Sequence, residues 1–554
     1  MVPATRPARI FTLGLALITA AFLAQAVYAA RVLVPYHDET SALFFGYLAA
    51  AGEISLYQDD MVGHRPPGAY YVLGATQAWW GRDLLVARMT SVVFGVALVL
   101  LTAMLGRRLG GDLCGLLAAA FLAAQGAIVG YYATAHYHAL TAMTMVAGLL
   151  VWLGAETPLR NVAGAAVLGS LFFLRTHMWL LLPVVLVCAV RRARSRGERL
   201  LVGAVMILPP LAFFLWDLRR LKLLASMPFV GQLVRPLGYV PFAVLDARPY
   251  QGVGFQLQAL VHLARRYEFL VLAVAGILCL ALWRGRRAGW RGVYLIDRRV
   301  SLLAMLFLYV LACLFVFFRI NFKWIGLYIA SLAPLLTLVL GYLASRLAVD
   351  PGFTPRARMV LAAALAAVLV LPIYYNRNPL LPLGVWRAAD PMRRARLAGE
   401  HLARLVPREA RVFFFGQVDV FYLSGLPPTH LQQIANYDTL AVRDDDNWAT
   451  MRSGYYGMPQ LERWLGVEAD YAVISPEGFN EFAEGFHKHP EVNRPKVARM
   501  GALLAERFEK VDRVGEYPYY SYEVYRRVGR PVPSVAGGAP PAGRATPARA
   551  LRSP

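Results

Sequence analysis

Cysteine is scarce: four occur in 554 residues, Cys114, Cys188, Cys279 and Cys313. Each lies in a separate apolar run, with no disulfide or metal-ligand spacing, so packing is their expected role. Charge is scarce as well, at 16% of residues against about 25% in ordinary soluble domains. With 58% hydrophobic residues and a mean hydropathy of +0.47, this excludes a simple cytosolic enzyme, a disordered protein and a fibrous repeat. Acidic residues are few beside basic ones, 34 against 57, which leaves a net charge of +23. A basic chain can signal nucleic acid. Apolarity of this degree points first to a membrane, with the basic residues as orientation signals. No Walker loop, dinucleotide fingerprint, GxSxG elbow or repeat of 20–50 residues is present.

What is present is a succession of apolar runs from residue 10 to residue 375. About 20 apolar residues cross the hydrocarbon core. The first run, 10–30, lacks a clear small-residue cleavage site and reads as an anchor. Arg6 and Arg9 precede it, while Asp38, Glu39, Glu53, Asp59 and Asp60 follow, so the N-terminus is expected inside and the acidic loop outside. The run 66–80 is too short to span and carries Tyr70, Tyr71, Trp79 and Trp80, which suits an interfacial helix. Further spans are expected at 84–105, 112–130, 139–154, 161–174, 178–190, 201–216, 269–283, 301–318, 325–344 and 359–375, about 11 in all with the first. Five Arg in 191–199 and four in 284–291 mark cytoplasmic loops. The segment 217–268 falls outside in this topology although it holds seven basic residues. Either the topology differs there or those residues bind an anion.

Beyond residue 386 the composition turns soluble. Strands are expected at 411–415, 471–475 and 521–526, and helices at 459–465 and 497–508. The reading is a polytopic α-helical membrane domain (1–380), a C-terminal soluble α/β domain (386–529) and a Pro/Ala/Gly-rich disordered tail (530–554).

The most informative stretch runs Tyr36-His37-Asp38-Glu39-Thr40, then Tyr57-Gln58-Asp59-Asp60, then His64-Arg65-Pro66-Pro67-Gly68. Two adjacent carboxylates follow a membrane helix, and two prolines fix extended backbone before the interfacial helix. A carboxylate at a membrane surface beside basic groups is suited to take a proton from a hydroxyl. The blander reading is that Asp38 and Glu39 cap the helix 40–51.

This stretch resembles the first loop of the GT-C membrane glycosyltransferases, of the family 39 type that includes protein O-mannosyltransferase-like and lipid A aminoarabinose transferase-like proteins. Three later stretches resemble the same family in the same order: Leu105-Gly106-Arg107-Arg108-Leu109-Gly110-Gly111, Leu174-Arg175-Thr176-His177, and the basic-aromatic segment 319–334. The resemblance implies a GT-C fold of about 11 spans plus interfacial helices, in a bacterial inner membrane with the C-terminal domain in the periplasm. It also implies inverting transfer of a sugar from a polyprenyl-phosphate-linked donor to a hydroxyl of a lipid, protein or polysaccharide acceptor, with no nucleic acid involved. Asp38 would be the general base and Glu39 its catalytic neighbour. Arg65, Arg175, Arg319 and Lys323 would hold the donor phosphate.

The sequence also departs from the family. Ala135-His136-Tyr137-His138 stands where the family often has an acidic residue, and Arg65 stands where Lys is usual. His64, Asp59, Asp60, His136 and His138 are candidates for substrate or metal contact. No ligand set has a convincing spacing, so a divalent metal stays unassigned. Two other classes compete: a transporter or flippase, which should show pseudo-symmetry and broken helices, and a non-catalytic relative that binds lipid-linked sugar. The sequence pattern gives no sign of pseudo-symmetry or of broken helices.

Overall fold

The computed structural model describes residues 6–33, 35, 37–52, 66–154, 156–216, 261, 268–288, 297–316, 325–375, 391–416, 418–426, 458–483, 490–515 and 521–529. Its N-terminal part is a helical bundle. Helix α1 spans Arg6–Val32, α2 His37–Ala50, α3 Pro67–Trp80, α4 Leu84–Gly110, α5 Asp112–Ala124, α6 Gly126–Ala133 and α7 His138–Leu153. Then come α8 (Pro158–Gly169), short 3-10 turns at Ser170–Phe173 and Thr176–Leu180, α9 (Leu181–Arg192) and α10 (Arg196–Trp216). The bundle ends with α11 (Glu268–Ala288), α12 (Arg298–Val316), α13 (Ile325–Ala348) and α14 (Pro355–Tyr375).

Among the described residues five helices are long and apolar enough to cross a membrane, or six if the bent pair α5–α6 is one span. The sequence pattern suggests about 11. Part of the difference has a local cause: expected spans at 112–130, 161–174 and 178–190 are shorter helices separated by breaks, while 139–154 and 269–283 are helices whose apolar part is too short. At Gln125 the axis turns by 75° between α5 and α6, a broken helix that the sequence pattern did not reveal. A break frees carbonyls at the end of α5, and the Gln25 side chain of α1 donates to the Ala123 carbonyl at 2.9 Å. Helix α13 runs through the middle of the bundle, where Tyr132 of α6 donates to the Ala330 carbonyl at 2.6 Å. All four cysteines are free thiols.

Helix α3 behaves as its length requires. Fourteen residues rise about 21 Å, short of the roughly 30 Å core. Pro66 is extended and Pro67 opens the helix, where a missing N–H costs nothing. Trp79 and Trp80 at its far end are exposed. Helices α2 and α3 pack backbone to backbone: a Cβ on Gly74 would sit 2.0 Å from the Gly46 carbonyl oxygen, and one on Gly46 2.5 Å from that of Tyr70. Asp83 caps α4 by accepting from the Leu85 and Val86 N–H groups at 2.6 and 3.0 Å.

The C-terminal part adds α15 (Pro391–Leu405), β1 (Val412–Phe415), α16 (Asp419–Ser424), α17 (Met458–Arg463), β2 (Tyr471–Ile474), α18 (Pro476–Ala483), α19 (Pro490–Arg507), β3 (Phe508–Val514) and β4 (Tyr522–Arg527). The sheet order is β1-β2-β4-β3, with β1 and β2 parallel and the other pairs antiparallel. Strands β1, β2 and β4 match the sequence pattern. Strand β3 does not: its sequence FEKVDRV is exposed except at its ends, so it offers no apolar alternation to read. The sheet has two covered faces. Phe413, Phe415, Ala472 and Ile474 point to α17 and α19. Val412, Phe414, Tyr471 and Val473 point to the other side, where their core is continuous with Phe44, Phe45, Leu48, Tyr70 and Leu73 of α2 and α3. The period of two along each strand thus feeds two different cores, one of them shared with the helix that carries the acidic pair.

Candidate active site

Glu39 lies in the first turn of α2 and is fully buried. Its partner is Arg88 of α4, also fully buried. The guanidinium donates from Nε to Glu39 Oε1 at 2.8 Å and from Nη2 to Oε2 at 2.7 Å. Arg88 Nη1 donates to the carbonyls of Ala30 and Leu33 at 2.9 and 2.6 Å, which are left open at the end of α1. Glu39 Oε1 accepts a further bond from the Ala135 N–H at 2.6 Å. A buried ion pair is tolerable only when its remaining polar atoms are satisfied, and here they are. One side-chain pair therefore fixes the end of α1, the start of α2, the first turns of α4 and the turn at 134–138.

That turn carries the second half of the site. Past Ala135 it presents His136 and His138, both buried, with ring centroids 4.5 Å apart. His138 Nδ1 lies 2.8 Å from Arg175 Nη1, and Arg175 Nε donates to His177 Nδ1 at 2.8 Å. Arginine only donates, so both imidazoles offer an unprotonated Nδ1 and carry their proton on Nε2. The Arg175 guanidinium lies over the rings of Tyr137 and Tyr328, 4.3 and 5.0 Å from their centroids. Arg175 is 7% exposed, and among the described residues no carboxylate pairs with it. The His177 Nε2 atom is buried without a hydrogen-bond partner among the described residues. The assembly is a buried cation held by neutral groups, with donor capacity left over. Such a site suits an anion.

The sequence-derived candidates divide into three groups. Glu39, His136, His138 and Arg175 come together on the turn at 134–138. The Asp38 backbone lies in the first turn of α2, and its side chain is outside the described set. Asp59, Asp60, His64, Arg65, Arg319 and Lys323 lie outside the described residues. Among the described residues no three His, Cys, Asp or Glu side chains converge on a metal-sized site. The sequence reading quoted the stretches that hold Tyr137, His177 and Tyr328 without giving those residues a role, and it did not single out Arg88 or Asp419. Arg88 had a signal, since an arginine inside an apolar run of membrane length is costly and needs a partner. Asp419 had none, because its contact is made across 379 residues of chain.

The contact sits where the sheet meets α2 and α3. Thr40 Oγ1 donates to Asp419 Oδ1 at 2.6 Å, and Tyr422 Oη donates to Gln77 Oε1 at 2.5 Å. Arg82, in the loop before α4, donates to the carbonyls of Leu426 and Tyr422 at 2.7 and 2.9 Å. Its guanidinium lies 4.9 Å from the ring centroids of both Phe44 and Tyr422. Burial pushes the Arg82 guanidinium down to about 10, partly offset by Tyr422 and Tyr47. Burial pushes the Asp419 carboxyl up to about 7; the Thr40 hydrogen bond opposes that and the Glu39 charge adds to it.

No protein-family model matches the sequence, and no curated protein matches it. Solved structures do match the fold. The structure of ArnT from Cupriavidus metallidurans bound to undecaprenyl phosphate aligns with a TM-score of 0.57 at 14% identity, over 94% of this chain and 98% of that one. The same protein in the apo state gives 0.53 at 16% identity, over 93% and 97%. The apo oligosaccharyltransferase of Archaeoglobus fulgidus gives 0.49 at 12% identity, over 87% and 72%. The chain has the fold of the GT-C membrane glycosyltransferases, the family that its first loop resembles.

Proposed function

We propose that the chain is a membrane glycosyltransferase that moves a sugar, with inversion, from a polyprenyl-phosphate-linked donor to an acceptor hydroxyl on the periplasmic side of a bacterial inner membrane. One observation carries the reading: the helix that begins with the acidic pair and the buried Arg175 are tied to the same turn, through Ala135 and His138. A base and an anion site on two flanks of one turn are what a phosphate-leaving displacement requires. The fold match to a protein bound to undecaprenyl phosphate supports a lipid phosphate as the anion.

In this mechanism Asp38 accepts the proton of the acceptor hydroxyl. The hydroxyl oxygen attacks the anomeric carbon, and the bond from that carbon to the phosphate oxygen breaks. The electron pair stays on the leaving lipid phosphate, where Arg175 meets the growing negative charge. Glu39, saturated by Arg88 and the Ala135 N–H, positions the start of α2 and with it Asp38. Arg65, Arg319 and Lys323 are proposed as further phosphate contacts. His64, Asp59, Asp60, His136 and His138 are proposed as groups that meet the sugar, the acceptor or a divalent metal. The sheet shares a core with α2 and α3, which supports placing residues 386–529 on the same membrane face as this chemistry.

The break between α5 and α6 favours one competing reading, a flippase, since broken helices line transport pathways. A single assay separates the two. Membranes holding the protein are given radiolabelled polyprenyl-phosphate sugars, and transfer to endogenous acceptor is followed. Asp38→Asn is expected to lower transfer at least about 100-fold. Undiminished transfer by this variant removes the base assignment. Failure with every donor, together with movement of labelled lipid between leaflets, would establish the flippase.

A further inference from the structure

We infer that Asp419, at the start of α16 in the C-terminal α/β region, is a positioning residue for the proposed transfer: through the Thr40 hydroxyl it holds the first turn of α2, and so Asp38, in its working place. The inference rests on the reading of Asp38 as the base.

Several observations lead to it. Asp419 is 1% exposed, and a carboxyl in such a place is expensive unless it is used. Val418 holds the cap position of α16 without a side-chain bond, and within the helix the Asp419 carboxyl meets its own backbone N–H. Outside its own helix it accepts a hydrogen bond from Thr40 Oγ1 at 2.6 Å. Thr40 sits in the first turn of α2, directly after Glu39 and two residues after Asp38. Glu39 is held from the bundle side by Arg88 and the Ala135 N–H, and Thr40 from the sheet side by Asp419. The turn that carries Asp38 is thus held at two adjacent residues, Glu39 by Arg88 and the Ala135 N–H and Thr40 by the Asp419 carboxyl. The shared apolar core and the Tyr422–Gln77 and Arg82 bonds join the sheet to α3 and the following loop, and they suffice for docking. None of them grips the first turn of α2. Burial of a second carboxyl close to Glu39 works against stability, since the Glu39 charge disfavours ionised Asp419. A leucine there would serve docking better, so docking alone does not account for an acid at this place. A misplaced base is costly in rate, because a shift of about 1 Å can lose on the order of 100-fold.

The test uses the full chain in membranes or micelles and four variants: Asp419→Ala, Asp419→Asn, Thr40→Val and Thr40→Ser. Asparagine keeps an oxygen for the Thr40 hydroxyl and serine keeps the hydroxyl. The expected result is a kcat roughly tenfold or more lower for Asp419→Ala and Thr40→Val at unchanged donor KM, with recovery in Asp419→Asn and Thr40→Ser. The double variant Asp419→Ala/Thr40→Val should lose no more than either single one. Hydrogen exchange gives a readout that needs no activity: the amides of 37–50 should exchange faster in Asp419→Ala, while those of β1 and β2 stay as they are. Unchanged exchange at 37–50 overturns the inference, as do losses that multiply in the double variant or fall on KM. Faster exchange throughout the sheet also overturns it, because Asp419 would then be a folding residue. Asp38→Asn is measured alongside. If that variant keeps full transfer, the base assignment fails, and the exchange data still decide whether Asp419 holds α2.

Discussion

Two arginines lie buried on the two flanks of the turn at 134–138, and their surroundings are opposite. Arg88 meets the full charge of Glu39 and two helix-end carbonyls. Arg175 meets two neutral imidazoles and two phenol rings. Both are costly to bury. The first cost is offset inside the protein, so Arg88 holds the fold together. The second is not offset by any carboxylate among the described residues, which is why the proposed function gives Arg175 the donor phosphate. The same side chain therefore does structural or functional work according to whether the chain supplies its counter-charge.

Arg88→Met puts this comparison under the greatest strain. It leaves Glu39 buried and charged without its partner, which should cost about 3–5 kcal/mol, measured by denaturant titration in micelles. Arg175→Met should leave the melting temperature unchanged or raised while lowering transfer about 100- to 1,000-fold, the loss expected when one donor to a developing anion is removed. Equal destabilisation by the two substitutions would erase the distinction. His177→Phe tests the support of Arg175 more gently. It removes the acceptor for Nε, and undecaprenyl phosphate should bind about tenfold more weakly, the effect of about 1.4 kcal/mol, in a native mass spectrometry titration.

The smallest expected effect is on pH. The groups facing Asp419 are the Thr40 hydroxyl, Glu39 with its partner Arg88, and its own backbone N–H. With the folded carboxyl raised to about 7, the folded chain holds a proton between about pH 4 and 7 that the unfolded chain has released. Stability from this group is therefore greatest at the acid end and declines as pH rises through that window. Melting curves from pH 5 to 8 should show the decline in the wild-type protein and a flatter profile in Asp419→Asn. Parallel profiles would mean that the carboxyl titrates normally.

Much of the bundle could be read from apolar length, because a helix in lipid must satisfy its own backbone. The breaks could not. Gln125 gives no proline or glycine warning at its own position, and although the polar stretch Arg175-Thr176-His177 marks a turn between two expected spans, nothing in the apolar residues on either side of it announces the 3-10 turns there. At the site, Glu39 and Arg175 were visible because adjacent acids and an isolated cation stand out in apolar surroundings. Of their neighbours, His136 and His138 were visible as candidates and the others were not. His177 and Tyr328 matter through a guanidinium brought to them by packing, and Asp419 through a hydroxyl far away in the chain. Spacing carries information about residues one turn apart, and these contacts cross the fold.

The core shared between α2, α3 and the sheet has a consequence for how the protein is made. Thr40 leaves the ribosome 379 residues before Asp419, so the apolar side of α2 around Phe44 and Leu48 stays uncovered while the rest of the bundle is synthesised. A chain cut short before residue 391 keeps both buried arginines but never receives the cover over that surface. This junction is thus completed last, and truncated products would display an exposed apolar patch on α2 and α3 in place of the shared core.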